Sequence, residues 1–326
     1  MRFPIHFFCS TVLMFSLGLL RYYRILPQLL QSSTSAKTAM EEFCNKHQEN
    51  VTFYKGLIIQ SSKLNTLVCL APKTGTTNLI RIFHASLFNT NHSVQENAKW
   101  MHQFDRFDVW SKLYPTLENF TVINTPKTLS NLITEKRLFK FLFVRQPLRR
   151  IYSVYHDKFN NTSRDSKSTY WVDMRRLILK QMNKSNDDLL DFRTFLQYIV
   201  HSISHGFELD NHFDSIYKLC GICSIKYDFV GKVENMEYDG PKILDQLRIS
   251  HRLTFPSRQL DDREGITMTD DDILQVFRNT LKNENHVQIL IEYFLKDFQA
   301  FNYPVPSIIK RLTTTPHCST ASLIPF

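Results

Sequence analysis

Between Leu70 and Leu79 the chain reads LAPKTGTTNL. A loop that holds an anion needs a glycine to let successive backbone N–H groups turn to one side. Hydroxyls add further donors, and an ammonium supplies charge. Pro72, Lys73, Thr74, Gly75, Thr76 and Thr77 offer this set, with Lys73 able to reach a bridging oxygen of the bound group. The order is not that of the GxxxxGK[ST] phosphate loop, because Lys73 precedes Gly75. A surface turn draws on the same residue types, so the hexapeptide alone decides little.

A second stretch, VRQPLRRIYSVYHDK, carries Arg145 and Ser153. The guanidinium fork suits a terminal phosphate, and a serine hydroxyl can take a second oxygen of the same group. Arg149 lies four residues before Ser153 and can share its helical face, and Arg150 is less favoured. At least one of these two arginines is expected on a solvated basic surface.

Both stretches need the same scaffold. Leu67 to Leu70 reads as a short buried strand, and Leu79, Ile80, Phe83 and Leu87 recur at helical spacing beyond the turn. Leu138 to Val144 repeats the strand, Pro147 marks the turn, and an amphipathic helix follows. Strand–loop–helix units of this kind predict an α/β fold with a central parallel sheet covered by helices. YDFVGKVENM adds another strand, which ends near Glu234. The polar segment from Asn160 to Asp191 reads as a surface excursion, and VQILIEYFLKDFQAFNY as one final helix. No internal repeat or linker divides the chain, and the tail from Ile308 has little pattern.

The 326 residues, 43% hydrophobic with 26 phenylalanines, can build a large core. A net charge of +9 points to anionic ligands. No nucleic-acid motif accompanies it, so no nucleic-acid partner is expected. Phe3 to Leu20 is uncharged and mostly apolar, with Arg2 before it and RYYR after it. That length reaches the lower limit for a membrane-spanning helix and predicts a signal anchor, with a cleaved signal peptide as the rival reading. Asn50, Asn91, Asn119, Asn160, Asn161 and Asn183 each begin an N-x-[ST] sequon, which favours a luminal domain. The expected organisation is a cytoplasmic tip and anchor over 1–24, a stem and lead-in over 25–60, a catalytic domain over 61–305 and a tail over 306–326.

Six cysteines (Cys9, Cys44, Cys69, Cys220, Cys223 and Cys318) suit one or two disulfides. Cys220 and Cys223 form a CxxC with no second pair to complete a zinc site. A structural disulfide is expected there, either mutual or with another cysteine. Cys69, on the buried first strand, is expected to stay reduced.

Taken together, these stretches resemble the Golgi carbohydrate sulfotransferases of the chondroitin, dermatan and HNK-1 group. APKTGTTNL is similar to their loop for the 5′-phosphosulfate of 3′-phosphoadenosine 5′-phosphosulfate, and VRQPLRRIYSVYHDKF to their loop and helix for the 3′-phosphate. The likeness continues through HFDSIYKLCGICSIKYDFVGKVENM to YFLKDFQAFNY, over roughly three quarters of the chain. The chain departs from the group at HFDS, which lacks a proline, and at GIC, which replaces a Pro-Cys step. Both departures fall on the acceptor side rather than the cofactor side.

The resemblance implies a three-layer fold similar to P-loop kinases and a type II Golgi membrane protein with its catalytic domain in the lumen. It implies sulfuryl transfer from 3′-phosphoadenosine 5′-phosphosulfate, without a metal. The acceptor would be an anionic glycosaminoglycan such as chondroitin, at the 4-hydroxyl of N-acetylgalactosamine, or a glycoprotein glycan. A noncatalytic glycan-binding relative would share the same motifs. Lys73 would serve the leaving oxygen. For the proton of the attacking hydroxyl, His102 in KWMHQFDRF is the favoured acceptor, with His84, His212 and Glu234 as alternatives.

Overall fold

The structure, a computed structural model, describes residues 32–47, 56–87, 96, 109–113, 120–122, 131–160, 168–256 and 268–307. Five strands form one sheet in the order β3-β1-β2-β4-β5. They are β1 Ile58–Ser61, β2 Thr66–Cys69, β3 Phe120–Val122, β4 Phe139–Val144 and β5 Phe229–Lys232. β2 pairs parallel with β4, and β4 with β5, in registers that set Cys69 beside Leu142 and Val144 beside Lys232. β1 is antiparallel to both of its neighbours, so it alone runs against the sheet. The parallel core is the expected one. The antiparallel strand arises because only the four residues 62–65 separate β1 from β2, too few for a crossover.

Side chains alternate across the sheet and give it two buried faces. Val68, Phe141 and Phe143 point to one side, where they meet Leu79, Ile80 and Phe83 of helix α2 (Thr76–Leu87). Those three residues have no exposed surface, and each contributes roughly 1.5–3 kcal/mol through burial. Leu67, Cys69, Leu142 and Val144 point to the other side, toward Ala36, Met40 and Phe43 of α1 (Ser32–His47) and toward Leu148, Ile151 and Val154 of α3 (Pro147–Lys158). Helix, sheet and helix make three layers. Gly231 allows β5 to pack closely, since a Cβ there would lie 2.4 Å from the Phe143 ring.

Two expectations need correction. The polar stretch from Asn160 to Asp191 contains α4 (Thr169–Gln181), whose Trp171, Ile178 and Leu179 are buried. Charged residues between these three masked a stripe at i, i+7 and i+8. The final helix is two, α9 (Glu284–Tyr293) and α10 (Leu295–Ala300), separated at Phe294. Between α4 and α9 run α5 (Phe192–Ser204), α6 (Ile216–Leu219), α7 (Met236–Gln246) and α8 (Asp270–Leu281).

No helix among the described residues is long and apolar enough to cross a membrane. The Phe3 to Leu20 segment lies outside the described residues, as do Asn50, Asn91, Asn119 and Asn161. Asn183 is exposed just beyond α4.

Candidate active site

The carboxyl ends of parallel strands are where α/β folds hold ligands. β2 runs there into Leu70–Gly75 and then into α2. Lys73 has φ +69° and Gly75 φ +82°, so two left-handed residues bracket Thr74 and turn the backbone into a concave nest of N–H groups. The N-terminus of α2 points into the same loop, and its dipole favours an anion. The Thr74 hydroxyl donates to the Ala71 carbonyl at 2.7 Å, so this side chain shapes the loop. Thr76 is buried and Thr77 half-buried in the first turn of the helix.

β4 ends beside this loop, and Arg145 follows it, only 6% exposed. Pro147 opens α3, and Gln146 caps it by accepting from the Arg149 N–H at 2.8 Å. Glu234, just beyond β5, accepts from the Gln146 N–H at 3.0 Å and from the Tyr303 hydroxyl at 2.9 Å. With both oxygens engaged, Glu234 fixes the loop that carries Arg145. Burial, with Glu234 next, drives the Tyr303 phenol well above its ordinary pKa. Ser153 is half-buried in the second turn of α3.

The two motifs are joined by contacts that the sequence did not announce. Arg150 Nε donates to the Pro72 carbonyl at 2.9 Å, Nη2 donates to the Asn211 carbonyl at 2.8 Å, and Nη1 donates to the Asp214 carbonyl. Lys73 Nζ pairs with Asp157 Oδ2 at 2.8 Å. The solvated-surface expectation fails for both arginines. Arg150 is 2% and Arg149 8% exposed, and Arg149 pairs with Asp270 at 3.2 Å and donates to the Met268 carbonyl. Burial lowers the Arg150 pKa to about 10, against the opposing pull of Asp297 and Asp214, which leaves it charged at neutral pH. The signal for Asp157 was its place seven residues after Arg150, on the same helical face.

His102 lies outside the described residues. His84 is buried on α2, and that burial lowers its pKa. His212 Nδ1 lies 2.8 Å from Asp210 Oδ1, and the ring stands edge-on to Trp171 at 4.7 Å. Burial lowers the His212 pKa, and Asp210 opposes that shift. Arg150, through the Asn211 carbonyl, ties the His212 segment to Pro72. Among the described residues no group of three or more His, Cys, Asp or Glu is arranged to hold a metal ion.

Cys69 is not reduced. It pairs with Cys220, with Cα atoms 5.7 Å apart, and Cys223 pairs with Cys44 at 5.1 Å. The turn after α6, with Gly221 at φ +55° and Cys223 at φ +75°, sends the two CxxC thiols to different partners. Cys69 faces the α1 and α3 side of the sheet, where the buried Cys220 reaches it. One bridge therefore anchors the strand that feeds the Lys73 loop.

The family model described as "Sulfotransferase family" matches residues 56–304. Human carbohydrate sulfotransferase 9 is 26% identical over 85% of this chain and 61% of its own length. Mouse carbohydrate sulfotransferase 11 is 33% identical over 54% of this chain and 49% of its own. Human carbohydrate sulfotransferase 14 is 28% identical over 78% of this chain and 61% of its own. The chain thus spans between about half and three-fifths of these relatives. No solved structure matches.

Proposed function

The chain belongs to the sulfotransferase family, and from that premise we propose that it transfers a sulfuryl group from 3′-phosphoadenosine 5′-phosphosulfate to a carbohydrate hydroxyl. The observation that carries this reading is the junction of two anion-binding elements at the ends of adjacent parallel strands, with Arg150 on Pro72 and Asp157 on Lys73. The nest at Lys73–Gly75 and the start of α2, with Thr76 and Thr77, would hold the 5′-phosphosulfate. Lys73 would meet charge as it develops on the departing phosphate oxygen. Arg145 and Ser153 would hold the 3′-phosphate. The donor supplies the activated sulfur, and the protein supplies position and charge.

The acceptor proton needs a base. His102 is the choice made from the sequence, and His212, its ring held by Asp210, is the second. H102A and H212A variants separate them, since only the true base loses turnover while donor binding stays intact.

As acceptor we propose the 4-hydroxyl of N-acetylgalactosamine in chondroitin or a related glycan. The names of the relatives support a carbohydrate acceptor, and the +9 charge favours an anionic polymer. A Golgi-luminal, type II placement fits the apolar N-terminal segment and the sequons. Two disulfides also suit an oxidising compartment.

The test incubates the full chain, made in a secretory host, with labelled sulfate donor. The acceptor panel contains desulfated chondroitin, dermatan, heparosan and glycoprotein glycans. Label on galactosamine disaccharides at the 4-position is the expected result. Transfer to heparosan alone overturns the acceptor, and tight donor binding without transfer to any glycan favours a noncatalytic glycan-binding protein.

A further inference from the structure

A site for a donor that is anionic at both ends ordinarily excludes carboxylates, because like charges repel. Asp157 is nevertheless turned into this one, with a side chain only 6% exposed. Its Oδ2 takes the Lys73 ammonium at 2.8 Å and the Lys158 ammonium at 3.3 Å. One face of α3 therefore holds two consecutive loop residues. Arg150 takes the backbone of Pro72, and Asp157, seven residues on, takes the side chain of Lys73.

Lys73 needs such a hold. Its backbone is set at φ +69°, but the four-carbon stem of a lysine gives its head many positions. An ammonium has three N–H donors, and giving one to Asp157 fixes the direction of the head. Stabilising charge that appears only in the transition state requires a donor already in place, because reorganisation during the reaction is lost rate.

We propose that Asp157 is a positioning residue that aims Lys73 at the departing oxygen while opposing the bound anion, a role that rests on the sulfuryl-transfer reading. Asp157 forms no bond to the donor and does not serve as the base. Its carboxylate weakens nucleotide binding and speeds transfer, so the two effects separate on substitution.

The experiment measures adenosine 3′,5′-bisphosphate affinity by calorimetry and kcat with saturating donor, for wild type, D157N, D157A, K73A and the K73A/D157N double variant. D157N and D157A should bind the bisphosphate at least as tightly as wild type. kcat should fall about tenfold or more in D157A and less in D157N, whose amide keeps a hydrogen bond to Lys73. D157N should cost no further kcat once Lys73 is absent. If D157A folds poorly, the isosteric D157N carries the comparison. Unchanged kcat in D157N and D157A overturns the role, as does a kcat loss matched by weaker bisphosphate binding. Failure of the wild-type chain to bind the bisphosphate instead overturns the sulfuryl-transfer reading itself.

Discussion

Arg150 Nε reaches the Pro72 carbonyl at 2.9 Å, so the helix of the second motif grips the loop of the first. The two loops are thereby tied together, with the segment at Asn211 and Asp214 fastened to them by the same guanidinium.

Replacing Arg150 by methionine should therefore disturb stability and binding together. Three carbonyls, that of Asp214 buried, would lose their donor, and Asp214 and Asp297 a compensating charge. The cost should be about 3–5 kcal/mol, close to that of breaking a buried pair. Urea unfolding should show it, and the folded fraction should bind adenosine 3′,5′-bisphosphate more weakly. Wild-type affinity in R150M would mean that the two loops do not depend on one another.

Asp297 predicts a pH dependence. It is fully buried and accepts from the Tyr217 N–H at 2.9 Å. Burial raises its carboxyl to about 6, with Asp214 adding to the shift and Ser215, the Tyr217 N–H and Arg150 opposing it. A raised carboxyl means that the folded state holds a proton the unfolded chain has already released. The stabilising contribution is complete below about pH 4 and is lost as pH rises through about 6. At about 1.4 kcal/mol per unit, roughly 2–3 kcal/mol is at stake. D297N should gain stability relative to wild type between pH 4 and pH 7 in urea titrations. Parallel profiles would contradict the assignment.

The Cys69–Cys220 bridge closes a loop across a sequence separation of 151 residues. Removing it with C69A/C220A should cost about 2–5 kcal/mol. The loss should appear as a lower Tm. The same variant tests whether anchoring β2 matters to the Lys73 loop, in which case bisphosphate affinity falls as well. A Tm within error of wild type would show that packing alone holds β2.

Much of this site could be read in the sequence because its parts are local. The shift from a buried strand to a turn with Lys73 and Gly75, then to helical spacing, needs only neighbouring residues, and the same holds for Arg145 and α3. Residues that act across the fold were hidden. Arg150 looks solvated until the carbonyls of Pro72, Asn211 and Asp214 arrive from segments far along the chain, and Arg149 until Met268 and Asp270 do. Cys69 looks like a reduced core residue until the turn at Gly221 brings Cys220 to it. α4 was missed because charges dilute its apolar stripe, and the reversed β1 because its partner is set by hairpin length.

The central claim is that Arg145 reads a phosphate at the far end of a nucleotide whose other end lies over Lys73. Calorimetric titration of adenosine 3′,5′-bisphosphate and of adenosine 5′-monophosphate, into wild type and R145A, tests it directly. Wild type should prefer the bisphosphate by roughly 2–5 kcal/mol, the scale of a buried charged contact. R145A should bind both nucleotides about equally, with the weaker affinity of the monophosphate. Equal binding of the two nucleotides by wild type, or an unchanged preference in R145A, would contradict the account.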